Sequence, residues 1–119
     1  VRTKHGDLVS VPYSMDIDDV FAHQFKTEGE EFERIIRDTF DVLYAEGAGS
    51  GRVMAICLHP YLYGQPHRVK YLDRALGYIL EHDGVWQATG TEIAAWSREH
   101  WLPQLEPHFA QFAGETSHA

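Results

Sequence analysis

The sequence predicts an α/β fold with a parallel sheet, and three observations support this prediction. Three strand-then-helix patterns follow one another along the chain, and such alternation is typical of parallel sheets with right-handed crossovers. The segment 53–59 is continuously apolar, as in a strand that is covered on both faces. Two longer segments repeat their apolar residues with a helical period of 3.6.

The first unit begins with a short strand over residues 8–11, which ends at Pro12 because proline has no N–H to donate to a ladder. One or two helical turns are expected within residues 18–25. Thr27 and Glu30 have the spacing of a capping box, so a longer helix should follow. Its apolar stripe consists of Phe32, Ile35, Ile36, Phe40 and Leu43.

The second unit is the apolar strand 53–59, which ends in His59, followed by a loop and a helix. That helix is expected over residues 68–82, where apolar residues again recur at helical spacing, and it should end before Gly84. The glycine-rich turn 47–51 follows a helix and opens a strand. This order is the reverse of a phosphate-binding loop, so a nucleotide site is not expected there.

The third unit is a short strand over residues 85–88 and a last helix over residues 91–100. Thr89 and Glu92 form a second capping-box pattern before this helix, and Pro103 should close it. The remaining tail has no clear period, so we expect it to pack loosely.

Charge and cysteine content narrow the classes of function. The 119 residues include 10 Lys and Arg against 18 Asp and Glu, which gives a formal charge of −8. An acidic surface repels phosphate backbones and anionic lipids, so we expect no nucleic-acid or membrane partner. A single cysteine excludes an intrachain disulfide and favours a reducing, cytoplasmic location. The length suits one domain, residues 1–119.

His59 is the candidate catalytic residue. Functional sites of parallel α/β folds lie at the carboxyl ends of strands, and His59 ends the predicted core strand. An imidazole exchanges protons near neutral pH and can serve as a general acid or base. The alternative is a histidine that simply donates a hydrogen bond to a neighbouring carbonyl.

The loop after His59 is the candidate binding segment. It contains Tyr61, Tyr63 and His67, and two prolines stiffen it. Tyrosine rings with polar tips suit a polar cyclic ligand, although a well-packed surface loop explains the same residues.

Two other groups of residues have structural explanations beside chemical ones. Asp16, Asp18 and Asp19 could bind a hard cation, but such residues more often cap a helix. Cys57 lies within the predicted core strand and is expected to be a structural thiol rather than a reactive one. The sequence contains no HxxxH or HExxH metal motif and no GxSxG nucleophile motif.

Several motifs resemble the polysaccharide deacetylase-like (NodB-homology) hydrolases, in particular the allantoinase-like branch. They lie between residues 8 and 101. The resemblance rests on the Leu-His-Pro step within residues 54–60, the Gly-x-Pro-x-Arg pattern of residues 64–68 and the Gly-Val-Trp of residues 84–86. A Pro-Tyr step in residues 11–14 followed by two aspartates adds to it.

The resemblance implies a partial (β/α) barrel of about three units and the hydrolysis of a carbon–nitrogen bond in an amide. The substrate would be an N-acetylated sugar or a small cyclic amide. The resemblance implies that His59 is the acid that protonates the leaving amine. The residues expected to line the site are Tyr13, Tyr61, His67 and Trp86.

The resemblance also implies what this chain lacks. Metal-dependent members bind a divalent ion such as zinc through an Asp and a His-x-x-x-His pair, and neither is found in place here, so no metal ligand is assigned. About three units cannot close a barrel that needs about 250 residues. We therefore expect the C-terminal half of a longer protein, which agrees with Val1 in place of methionine. The alternative is a non-catalytic subunit that pairs with another chain or with itself.

Overall fold

The computed structural model describes residues 2–112 and divides the chain into two compact units. One unit is the continuous stretch 12–85, and the other combines residues 1–11 with residues 86–119. Helices dominate both units. Within residues 2–112, every helix is too short or too polar to span a lipid bilayer.

The unit 12–85 contains three helices: α1 (Asp19–Gln24), α2 (Gly29–Gly47) and α3 (Pro66–Leu80). Helix α1 starts where the Asp18 side chain accepts a hydrogen bond from the backbone N–H of Val20, a standard N-cap. Helix α3 starts at a proline, which is well tolerated there because the first N–H of a helix has no intrahelical partner.

The core of this unit lies where α2 packs against α3. Phe32 and Ile36 of α2 are almost completely buried, and so is Ala75 of α3. The ring of Tyr63 packs against that of Phe32 with 4.3 Å between centroids. Ile17, Ala22 and Leu62 complete the buried cluster, so the segment before α1 and the loop before α3 both pack against the helix pair.

An aromatic cluster joins the ends of α2 and α3. The imidazole of His82 lies 4.8–5.0 Å from the rings of Phe40, Tyr44 and Tyr78, edge to face in each case. Its Nδ1 hydrogen-bonds to the carbonyl of Tyr78 at 2.8 Å. Because a carbonyl only accepts, Nδ1 is the donor, and this bond satisfies one of the last carbonyls of α3.

The other unit contains a two-residue antiparallel hairpin and a long helical segment. Strands β1 (Arg2–Thr3) and β2 (Gly6–Asp7) pair with each other. Helix α4 (Gly90–Trp96), a π-helical turn (Ser97–Trp101) and helix α5 (Leu102–Phe112) follow in direct succession. The Thr89–Glu92 capping box is present as predicted.

The predicted α/β class, with a parallel sheet and a partial (β/α) barrel, is wrong for the described residues. Residues 8–11 and 85–88 form no strand, and the apolar segment 53–59 is extended but makes only one isolated parallel bridge, between Asp18 and Cys57. An extended segment becomes a strand only when adjacent strands accept and donate its backbone hydrogen bonds, and residues 2–112 do not place such strands beside it.

The predicted helices are mostly present, but some of their predicted ends are wrong. The short helix within residues 18–25 and the two long helices are confirmed. The Thr27–Glu30 capping box is wrong, because Glu28 is the N-cap of α2 and makes no side-chain capping bond. Pro103 does not close the last helix. It is the second residue of α5, which follows the π-helical turn directly.

Candidate functional site

The candidate site forms where the segment before α1 meets the extended segment that ends in His59. The backbone N–H of Cys57 donates to the carbonyl of Ile17 at 3.1 Å, and the backbone N–H of Asp19 donates to the carbonyl of Cys57 at 3.0 Å. These two bonds hold the segments in parallel register. They place the first residue of α1 directly beside His59.

His59 and Asp19 form a doubly hydrogen-bonded pair. The Nδ1 atom of His59 lies 2.7 Å from Oδ1 of Asp19, and the backbone N–H of His59 donates to Oδ2 at 2.7 Å. A carboxylate oxygen accepts and does not donate, so Nδ1 carries the proton of this bond. The ring is thereby oriented, and Nε2 is the nitrogen that can exchange a proton with a ligand.

Burial differs sharply across this pair. The Asp19 side chain is fully buried, whereas 39% of the His59 side chain is exposed. A buried carboxylate needs hydrogen bonds to replace its hydration, and His59 supplies two of them. The imidazole therefore has one edge held by the protein and the other edge open to solvent.

Asp18, the N-cap of α1, belongs to the same cluster. Besides the bond from Val20 at 2.8 Å, its carboxylate accepts a hydrogen bond from the hydroxyl of Tyr13. The bond from Tyr13 is the main cause that lowers the pKa of Asp18, with the backbone N–H of Val20 also lowering it and burial opposing it. The same bond raises the pKa of the Tyr13 phenol, because the phenol hydrogen is held by a carboxylate. The capping interpretation of Asp18 is confirmed.

The cluster of Asp18, Asp19 and His59 brings three potential metal ligands within 4.8 Å of one another, and hydrogen bonds satisfy these groups without an ion. Both oxygens of each carboxylate already accept hydrogen bonds, and Nδ1 of His59 is itself bonded to Asp19. Among the described residues, the buried side-chain polar atom without a partner is the hydroxyl of Tyr63, which is not part of this cluster. We therefore interpret the cluster as a hydrogen-bonded network.

The turn after His59 depends on a glycine. The carbonyl of His59 accepts the backbone N–H groups of Leu62 and Tyr63 at 2.9 and 3.1 Å. A Cβ at Gly64 would lie 2.4 Å from the carbonyl oxygen of Pro60, so only glycine fits this close approach. The turn buries Tyr63 in the core, where burial raises the pKa of its phenol to about 12.

The structure brings some of the predicted site residues together. Tyr13 reaches Asp18, and the ring of Tyr61 lies 5.4 Å from the ring of His59, edge to face. Both tyrosine rings are largely exposed. His67 is exposed in the first turn of α3, and Trp86 is exposed in the other compact unit. For all of the predicted residues, a role at the site stays a prediction.

Sequence reasoning missed Asp19 as the partner of His59. The available signal was the number of carboxylates before α1: one aspartate is enough to cap a helix, and the sequence supplies Asp18 and Asp19 in succession. The second carboxylate is buried, which for an aspartate indicates a specific partner. The histidine that satisfies it lies 40 residues away in the chain.

Comparisons with known proteins show what the chain is similar to. No protein-family model matches the sequence. A Schizosaccharomyces pombe protein named "Putative polysaccharide deacetylase" is 40% identical over 98 residues, which are 78% of this chain and 30% of that protein. The predicted resemblance to the polysaccharide deacetylase-like hydrolases is confirmed.

Two solved structures match this chain with a TM-score of 0.70 each. One is a "probable Polysaccharide deacetylase" from Pseudomonas aeruginosa PAO1, 41% identical, and the other is Puue allantoinase, 36% identical. Each match covers 76% of this chain and 31% of the solved chain. The chain thus spans about three tenths of the length of these relatives.

Proposed function

We propose that this chain carries the proton-transferring part of a deacetylase-like hydrolase that cleaves a carbon–nitrogen bond in a non-peptide amide. The observation that supports this most strongly is the Asp19–His59 pair, with its oriented and half-exposed imidazole. The relatives are named as deacetylases and an allantoinase, which are hydrolases of such bonds.

In the proposed reaction, His59 acts as the general acid. When water adds to the amide carbon and the carbon–nitrogen bond breaks, the departing nitrogen needs a proton to leave as a neutral amine. The Nε2–H of a protonated His59 supplies this proton, and general acid catalysis of this kind contributes roughly 10²- to 10⁴-fold. Asp19 keeps the ring in position and stabilises its charged form through the bond at Nδ1.

Substrate contacts are assigned to the exposed rings beside His59. The ring of Tyr61 lies 5.4 Å from that of His59, and Tyr13 is bonded to Asp18 of the same cluster; both rings are exposed and suit a sugar ring or a small cyclic amide. His67 and Trp86 are retained as predicted contacts. An N-acetylated sugar and a cyclic amide both remain candidates, since the two solved relatives are named for different substrates.

A chimera tests the role of His59. The matched 31% of the Pseudomonas aeruginosa protein is replaced by this chain, and release of acetate from N-acetylated sugar oligomers and hydrolysis of allantoin are both measured. If either is hydrolysed, His59→Gln should lower kcat by about 100-fold or more. His23→Gln, an exposed histidine at the end of α1, is the matched control and should leave kcat unchanged. Equal rates for the two variants would refute the assignment.

The second candidate is a non-catalytic subunit that pairs with another chain, and one observation favours it. Within residues 2–112, the backbone of residues 53–56 makes no hydrogen bond to other backbone groups, and Val53 and Leu58 are exposed. Unpaired extended backbone is a template for pairing with another polypeptide. Light scattering and the binding of a hydrophobic dye distinguish the two candidate functions. A stable monomer that binds little dye would count against a subunit that pairs through its exposed backbone.

The location and the activity of the isolated chain complete the proposal. We expect the protein to be cytoplasmic, because its one cysteine suits a reducing compartment. We also expect the isolated 119-residue chain to hydrolyse neither N-acetylated sugars nor allantoin. Turnover of either compound by the metal-free chain would contradict the view that it holds only part of the site.

A further inference from the structure

The loop that carries Tyr13 is tied to the site from two sides. The Tyr13 hydroxyl donates to Oδ2 of Asp18, and the thiol of Cys57 donates to the carbonyl of Ser14 at 3.7 Å. Asp18 and Cys57 face each other in the isolated parallel bridge. The two ties therefore connect neighbouring loop residues to the two backbone segments that also hold Asp19 and His59.

The hydroxyl of Tyr13 is hydrogen-bonded within the protein, although the Tyr13 ring is exposed to solvent. The side chain belongs to a residue that is 66% exposed, yet its hydroxyl hydrogen is bonded to a carboxylate of a residue that is only 3% exposed. Hydrogen bonds to an ionised acceptor are about twice as strong as neutral ones. The hydroxyl hydrogen is therefore not available to a ligand, and the ring is the exposed part of Tyr13.

We propose that Asp18 is a positioning residue, which holds the Tyr13 hydroxyl so that Tyr13 contacts a ligand at His59 through its ring face alone. This inference rests on the proposed function for the identity of the ligand, but the tether itself exists without it. Asp18 thus has two duties that use different oxygens: Oδ1 caps α1 and Oδ2 fixes the loop. The raised pKa of the Tyr13 phenol is what this tether predicts.

Cys57 provides a direct measurement of the tether, because the chain has one cysteine and a thiol reagent reports on that position alone. In Tyr13→Phe the loop loses its bond to Asp18, so the Ser14 carbonyl should move away from Cys57 more often. A disulfide reagent should then modify Cys57 about tenfold faster than in the wild-type chain. Tyr61→Phe, which removes the hydroxyl of the exposed tyrosine beside His59, is the matched control and should leave the rate unchanged.

Two variants of Asp18 separate its duties. Asp18→Ser keeps a good N-cap for α1 but is too short to reach Tyr13, so it should raise the thiol rate as Tyr13→Phe does, with the helix content unchanged. Asp18→Asn keeps a side chain of the same length, whose oxygen can cap α1 while its amide N–H donates to the Tyr13 oxygen, so the thiol rate should stay close to that of the wild-type chain. A spectrophotometric titration should show one tyrosine that ionises at lower pH in Asp18→Ser than in the wild-type chain.

These measurements test the bond between Asp18 and Tyr13 independently of any hydrolase activity. Equal thiol rates in Tyr13→Phe and the wild-type chain, or an unchanged phenol titration in Asp18→Ser, would overturn the positioning role whatever the activity of the chimera. In an active chimera, Tyr13→Phe should raise KM while kcat changes by less than about twofold, because the ring remains and only its position loosens. A large loss of kcat would instead mean that the hydroxyl itself takes part in the reaction, which refutes the ring-face contact.

Discussion

The α2–α3 helix pair and the cluster around His59 are built by different means within the same compact unit. The helix pair buries large apolar residues, and each helix is already indicated by the spacing of its own residues. The His59 cluster buries carboxylates, and its bonds join residues 40 positions apart. The comparison teaches that local pattern and apolar area produce the scaffold, whereas a few long-range polar bonds produce the site.

The largest effect on stability should come from the helix pair. Phe32→Ala removes a ring that is 1% exposed and contacts Tyr63, so it should lower the free energy of unfolding by about 3–5 kcal/mol. Urea unfolding followed by circular dichroism measures the change. Val42→Ala, on the exposed face of the same helix, should change it by less than about 0.5 kcal/mol. Similar losses for both variants would mean that the pair is not the core.

A smaller loss is expected from the polar cluster. Asp19→Asn replaces a carboxylate that accepts two hydrogen bonds from His59 with an amide that has a single acceptor oxygen. We expect a loss of about 1.5–3 kcal/mol, the range for hydrogen bonds to charged groups. Asp16→Asn, an exposed neighbour before α1, should change stability by less than about 0.5 kcal/mol. A wild-type stability for Asp19→Asn would contradict the buried pair.

The smallest effect should appear in acid, at Asp18. In the folded chain the pKa of Asp18 lies below its ordinary value of 3.8, which is the value expected in the unfolded chain. Between the folded and the unfolded pKa, the unfolded chain therefore binds more protons than the folded chain. The corresponding stability is therefore fully present above the unfolded pKa and is lost as the pH falls through the folded pKa. Urea unfolding between pH 7 and pH 3 measures this loss.

Tyr13→Phe is the partner variant for the acid experiment. The Tyr13 hydroxyl is the largest cause of the lowered pKa of Asp18, so its removal should flatten the dependence of stability on pH in this range. A pH dependence identical to that of the wild-type chain would show that other groups are responsible. Such a result would also mean that the polar bonds of the site add no measurable stability beside the apolar burial of the helix pair.

The elements that could be predicted from the sequence are those whose cause is local. The period of apolar residues identified α2 and α3, and the Thr89–Glu92 spacing identified the cap of α4, because neighbours on a helix are three or four residues apart. The parallel sheet could not be predicted reliably in this way. The continuous apolar run of residues 53–59 specifies an extended and partly buried segment, but strand pairing depends on partners that the segment does not contain.

The sequence by itself determined two features of this protein: the two long helices and the histidine that ends the apolar segment. Only the tertiary structure decided what that histidine is bonded to. Helical periodicity acts between residues that are close in the chain, so it can be detected in one segment. The bond between His59 and Asp19 requires the parallel alignment of two distant segments, and a sequence records the two side chains without recording that they meet.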